Sequence, residues 1–321
     1  MTRPDPIRLA VIGVGHLGRH HARVAASLPG ATLVGIHDHN DERADEVAHE
    51  FKLRTLPDLE AVAREAEAAV IATPTLTHAA VAGFLLERGL DVMVEKPITA
   101  NLREADDLLA LARANGRIVQ VGHVERYNPA VETALAMVAR PLFIEVHRLG
   151  IFTRRSLDVD VVLDLMIHDL QIVQALAGGP VVEIRAAGLP VLTPLLDIAN
   201  ARIAFEGGCV ANLTASRVSP RKVRKLRIFA PELSVSVDMQ ARTVKAFHLS
   251  REKGDAEIVP SEVPVPGEEP LVRELADFVR AVRTRQEPLV SGDSGRNALA
   301  LAGEVLEAIA KHRLAFEGVR A

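Results

Sequence analysis

Cysteine is nearly absent from this chain. Cys209 is the only one in 321 residues, which excludes an internal disulfide and fits a reducing compartment. A basic surplus is absent too: 38 Lys and Arg stand against 42 Asp and Glu, a formal net charge of -4 that lacks the footprint of a nucleic-acid binder. No apolar run is long enough to span a bilayer, and Met1 to Pro6 lead into a short apolar run with no cleavage pattern after it. Internal repeats and low-complexity segments are missing as well. These absences predict a cytoplasmic protein with neither membrane nor nucleic acid as a partner.

What is present is an ordinary globular balance, 48% hydrophobic and 25% charged. The length exceeds what one core usually reaches, so two domains are expected.

Residues 7–12 form an apolar run of strand type, followed by Gly13-Val14-Gly15-His16-Leu17-Gly18 and a helical pattern as far as Leu28. Such a hexapeptide is weak by itself and gains meaning between a strand and a helix. There the glycines make a tight turn, let the backbone approach a pyrophosphate, and set the phosphates at the helix N-terminus. A second apolar run, 32–36, ends in His37-Asp38. Asp38 stands where a carboxylate accepts hydrogen bonds from both ribose hydroxyls and repels the extra phosphate of NADP. A plainer role is an N-cap for the helix suggested over 40–51, which Asn40 fills equally well. NAD is the expected cofactor.

Strand and helix then alternate, which predicts a parallel sheet with helices on both faces. The strand 68–72 brings Thr73, Pro74, Thr75 and then His78 to the carboxyl edge of that sheet, although Thr75 or Thr77 also reads as a helix cap. The apolar run Val92-Met93-Val94 stops abruptly at Glu95-Lys96-Pro97. Lys96 then lies at the mouth of the ligand crevice, where an ammonium can hydrogen-bond a reacting hydroxyl; a solvated lysine at a strand end is the alternative. The strand 117–121 delivers Gly122-His123-Val124-Glu125-Arg126-Tyr127-Asn128-Pro129, with His123 either in the crevice or simply in a loop.

Beyond Pro141 the texture changes. Runs of strand type at 142–149, 181–187, 197–205, 209–216, 223–229, 233–238 and 243–249 argue for a mostly antiparallel sheet, hence an α+β domain. Glu206-Gly207-Gly208 marks a hairpin, and the Pro-rich stretch 260–270 reads as a connecting loop. Helices are expected over 160–176, 271–284 and 294–312. If all of them cover one face of the sheet, the other is a candidate dimer surface. The predicted domains are 1–123, for dinucleotide binding, and 124–321, for substrate binding and oligomerisation.

The segment 160–176 is apolar on almost every side, so its polar members stand out. Asp164 and His168 are four apart and share a helix face, with Gln171 continuing the line. Such a pair costs burial energy unless it is satisfied internally or by a ligand. A carboxylate-oriented imidazole suits the proton acceptor that alcohol oxidation needs. Arg154, Arg155 and the basic run beginning Arg221-Lys222 are most simply solvated, yet guanidinium forks also match a pyrophosphate.

Together, the glycine loop, Thr73-Pro74-Thr75 with His78, Glu95-Lys96-Pro97, the Arg126 segment, and Asp164 with His168 resemble the Gfo/Idh/MocA family along the whole chain. That family comprises glucose-fructose oxidoreductases, inositol dehydrogenases and rhizopine-catabolism oxidoreductases. The resemblance implies a Rossmann domain followed by a domain on a large, mostly antiparallel sheet, pairing into homodimers or homotetramers. It implies Lys96 and His168 as the catalytic pair, Asp164 assisting, and a cis Lys96–Pro97 bond. Cofactor contacts are expected from Gly13, Gly15, His16, Leu17, Gly18, Asp38, Thr73, Pro74, Thr75, His78, Glu95, Lys96 and His123. Substrate contacts are expected from Lys96, Arg126, Tyr127, Asn128, Arg154, Arg155, Asp164 and His168, with no metal. Within the family, segments 122–131 and 163–169 look most like the UDP-N-acetylglucosamine 3-dehydrogenases, which oxidise the sugar's 3-hydroxyl to a ketone. That likeness implies a nucleotide-sugar substrate. A free sugar or inositol is the alternative, and a non-catalytic dinucleotide-binding protein a further one.

Overall fold

A computed structural model describes residues 5–153, 159–251 and 257–317. By its contacts the chain forms two compact units, Met1–Val124 with Glu268–Leu299, and Glu125–Gly267 with Ala300–Ala321.

The first unit is built on β1 (Ile7–Ile12), α1 (His16–Ala25), β2 (Ala31–His37), α2 (Asp41–Phe51), α3 (Leu59–Glu65), β3 (Ala68–Ile71), α4 (Thr75–Glu87), β4 (Asp91–Glu95), α5 (Leu102–Ala114) and β5 (Val119–Gly122). Its five strands pair in the order β2-β1-β3-β4-β5, all parallel, the expected Rossmann arrangement. Leu9, Val11, Val70, Ile71, Val92 and Val94 are fully buried, because helices cover both faces and a parallel strand has no solvent side. The short α3, capped by Asp58, is not evident from the sequence pattern.

The second unit starts with a 3-10 turn and α6 (Pro129–Met137), then β6 (Phe143–Leu149), a π turn over Val162–Met166, α7 (Ile167–Ala177), β7 (Val181–Leu189), β8 (Ile198–Phe205), β9 (Val210–Ser216), β10 (Val223–Ala230), β11 (Leu233–Asp238), β12 (Thr243–Ser250) and β13 (Glu257–Val263). The eight strands lie in the order β13-β12-β11-β10-β6-β9-β8-β7, and every pairing is antiparallel except β6 with β9. Alternation puts Ile144, Val146, Ile203, Leu213, Leu226 and Ile228 on a buried face, where α6 and α7 pack and Ile309 closes over Gly188. The opposite face carries His147, Asn200, Arg202, Lys225 and Arg227 and stays exposed.

Two corrections arise. Residues 257–263 are a strand, β13, although Pro260 reads as a loop signal; its partner is β12 and it is an edge strand, the place in a sheet where proline is tolerated. Residues 268–299 belong with the first unit rather than with 124–321. α8 (Pro270–Thr284) has an apolar stripe of Leu275, Phe278, Val279 and Val282 that joins Ile7, Leu9, Val11 and Ala22 in one core. Beyond it, Val121 donates to the Val290 carbonyl at 3.0 Å. The final helix, α9 (Gly292–Glu317), begins so close to β5 that a Cβ on Gly295 would lie 2.4 Å from Val121. A sequence shows that α8 has an apolar stripe but not which sheet the stripe meets. Among the described residues, no helix is long and apolar enough to cross a membrane.

Candidate active site

The turn between β1 and α1 is shaped by its glycines. Gly13 has φ +78°, and a Cβ there would meet the Thr73 nitrogen at 2.7 Å; one on Gly18 would overlap the Gly13 carbonyl at 1.7 Å. Gly15 caps α1 without a side-chain hydrogen bond, and nothing lies within 4 Å of where its Cβ would be. His16 and Leu17 are exposed in the first turn. Helix amides that no side chain caps, beside an open glycine, are what a pyrophosphate requires, so this loop fits a dinucleotide.

Asp38 braces that loop. Its Oδ2 accepts from Val14 N at 2.8 Å and its Oδ1 from Asn40 N at 3.0 Å, while Asn40 rather than Asp38 caps α2. Arg43, five positions on, reaches back to donate to the Val14 carbonyl at 3.2 Å, which brings a guanidinium to the end of β2 that the two residues after Asp38 do not supply.

At the carboxyl edge of the sheet, Pro74 caps α4, with Thr73 and Thr75 half-buried beside it. His78 is buried, with Nδ1 2.9 Å from the Pro97 carbonyl and Nε2 2.9 Å from the Thr73 carbonyl. It therefore ties the loop after β3 to the loop after β4. The Lys96–Pro97 bond is cis, and Lys96 is half-buried. Glu95 is buried, accepting from Lys96 N at 3.1 Å and lying 2.7 Å from His21 Nε2. His123 is buried as well, and burial, aided by the Lys96 charge, pushes its pKa down to about 3. Of the expected cofactor contacts in the first unit, His78, Glu95 and His123 are thus buried.

In the second unit, Asp164 falls in the π turn and His168 in the first turn of α7, both half-buried. The π turn closes as Ile167 N–H donates to the Val162 carbonyl, five residues back. Such insertions gather at functional sites. Arg126 is half-buried, and its buried Nε has no hydrogen-bond partner among the described residues. Burial lowers its pKa. Tyr127 is buried. Asn128 caps α6, its Oδ1 accepting from Ala130 N at 3.1 Å and its Nδ2 donating to the Met239 carbonyl at 2.9 Å, so its polar atoms hold the fold. Arg154 and Arg155 lie outside the described residues. Arg221 and Lys222 are exposed, and Arg224 lowers the Lys222 pKa, ahead of burial.

Three residues that the sequence reading passes over support these sites. His21 and Glu274 are polar members of the buried stripes of α1 and α8, and Arg148 occupies an inward position on β6 in register with Ile144 and Val146. An ionisable residue at the buried phase of an amphipathic pattern is the signal by which each is found.

Residues 7–123 match the description "Oxidoreductase family, NAD-binding Rossmann fold", and residues 131–236 match "GFO/IDH/MocA C-terminal domain". The UDP-N-acetylglucosamine 3-dehydrogenase of Acidithiobacillus ferrooxidans is 38% identical over 308 residues, 94% of this chain and 97% of that one. Its solved structure superposes with a TM-score of 0.89 over the same 94% and 97%. The scyllo-inositol 2-dehydrogenase (NAD(+)) of Bacillus subtilis is 28% identical over 319 residues, 89% of each chain. A levoglucosan dehydrogenase solved with NADH and levoglucosan shares the fold at a TM-score of 0.86 and 18% identity, covering 96% of this chain and 98% of that one. Both halves of the fold and near full-length similarity make this chain a member of the GFO/IDH/MocA oxidoreductase family, with an NAD-binding Rossmann domain as its first unit.

Proposed function

We propose that the chain is an NAD-dependent dehydrogenase oxidising the 3-hydroxyl of a UDP-N-acetylhexosamine. The 38% identity over 94% of the chain to the Acidithiobacillus ferrooxidans enzyme carries this reading. NAD, when bound, supplies the nicotinamide that accepts the carbon-bound hydrogen as hydride. Gly13, Gly15 and Gly18 with the α1 N-terminus hold the pyrophosphate, and Asp38 takes the adenosine ribose. Lys96 hydrogen-bonds the reacting oxygen and stabilises its alkoxide character; His168 takes the hydroxyl proton, with Asp164 orienting the ring. Arg126, half-buried with its Nε lacking a partner among the described residues, suits the diphosphate, as do Arg154, Arg155, Arg221 and Lys222. In the same reading residues 125–267 with 300–321 supply the substrate domain, the enzyme works in the cytoplasm, and the open face of the eight-stranded sheet pairs with a second copy.

Nicotinamide absorbance tests the reading. UDP-N-acetylglucosamine is expected to turn over, while free N-acetylglucosamine, glucose and inositol are not. Lys96→Ala and His168→Ala are each expected to lose about a hundredfold or more in kcat. Efficient turnover of a free polyol, without response to the UDP-sugar, replaces the substrate and leaves the dehydrogenase.

A further inference from the structure

α1 begins at the glycine loop and carries His21 on its buried side. The Nε2 of His21 lies 2.7 Å from Glu95 Oε1, and since a carboxylate only accepts, the ring donates. The other oxygen, Oε2, accepts from the backbone N–H of Lys96 at 3.1 Å. One carboxylate therefore links the middle of the phosphate-binding helix to the backbone of the lysine. Its place is shaped from a third side: a Cβ on Gly122, at the end of β5, would lie 2.9 Å from the Glu95 carboxyl carbon. Burial alone would raise the Glu95 pKa, yet the His21 hydrogen bond and the His21 and Lys96 charges lower it, so the group stays an anion.

We propose that His21 is a positioning residue that, through Glu95, fixes the backbone of Lys96 relative to the pyrophosphate-binding end of α1. Without it the Glu95 carboxylate loses its anchor and Lys96 drifts from the reacting oxygen, where a displacement near 1 Å costs about a hundredfold. The loss falls on the chemical step, because the glycine loop is untouched. This rests on the role of Lys96 proposed above.

The test uses the full-length enzyme and three variants: His21→Leu, which removes the donor; His21→Gln, whose amide can donate at a similar reach; and Glu95→Gln. His21→Leu is expected to lower kcat about tenfold to a hundredfold, with the NAD Kd within about threefold of the parent. His21→Gln is expected to restore most of the rate, which a purely structural role does not predict. Glu95→Gln, an isostere that retains one of the two bonds, is expected between them. Parent-like kcat in folded His21→Leu, or in Glu95→Gln should His21→Leu not fold, overturns the proposal. Lys96→Ala is the control: if it turns over like the parent, the role of Lys96 itself has failed.

Discussion

Arg148 grips Asp169 through two parallel hydrogen bonds, Nε to Oδ2 at 2.8 Å and Nη2 to Oδ1 at 2.7 Å, and Asp169 is the residue next to His168. The remaining Nη1 of this buried guanidinium donates to Glu125 at 2.8 Å, and Glu125 also accepts from Arg224 at 2.5 Å. Burial alone would lower the Arg148 pKa, but the two carboxylates more than offset it. The strand β6, the turn before α6 and the start of α7 are thereby locked to one cation.

Arg148→Met leaves two buried carboxylates without their shared cation, which costs about 3–5 kcal/mol. Chemical denaturation should show a lower midpoint for this variant. An unchanged midpoint would mean that the network contributes nothing to stability.

Glu274 gives a pH-dependent prediction. It is buried, both carboxyl oxygens lack a hydrogen-bond partner among the described residues, and burial followed by the Glu95 and Asp277 charges raises its pKa well above the usual range. An acid with a raised folded pKa binds its proton more tightly folded than unfolded. Its contribution is whole below the unfolded pKa near 4.3 and erodes as pH climbs toward the folded value. Glu274→Gln keeps the shape and removes the titration. Its melting temperature relative to the parent is expected to rise steadily between pH 5 and pH 8, by roughly 2–4 °C per kcal/mol relieved. A difference that is flat with pH would show Glu274 to be ionised.

His123 is expected to remain a neutral imidazole throughout the working range, since burial and Lys96 hold its pKa at about 3. Nitrogen-15 NMR of the histidine rings should show no His123 titration between pH 5 and pH 8. A midpoint near 6.5 would show the ring to be hydrated.

Asp38 is expected to govern the choice between NAD and NADP. Asp38→Ser removes a carboxylate that both repels a 2′-phosphate and accepts from Val14, so calorimetry should show about tenfold weaker NAD binding and a gain for NADP. Because Arg43 stands beside the loop, the double variant Asp38→Ser, Arg43→Ala should lose that gain. NADP binding as tight as NAD binding in the parent would refute the assignment.

The Rossmann half was largely legible, because a parallel strand buried on both faces writes itself as an apolar run ending at a loop. β4 ending in Glu95 and the glycine loop before α1 both follow that rule. The antiparallel strands other than β13 were legible as runs of strand type set off by turn residues, within a residue or two at their ends. The hidden parts depend on partners distant in sequence. Nothing near Phe278 shows that it packs with Leu9, and nothing near His21 names Glu95, because each partnership is made by the fold. Pro260 hid β13, since proline is tolerated there only because the strand lies at an edge. The π turn at Asp164 has no compositional mark at all.

The return of 268–299 to the first unit also sets an order of assembly. On the ribosome, β1 to β5 emerge first, but the surface that Leu275, Phe278 and Val282 cover stays bare until the chain has been extended past them. All eight strands of the second sheet are synthesised in the interval. The nascent dinucleotide domain therefore waits, with an open apolar flank, while residues 123–270 are made. A fragment ending at residue 124 stays in that state permanently, a candidate for chaperone capture rather than a free-standing NAD-binding module.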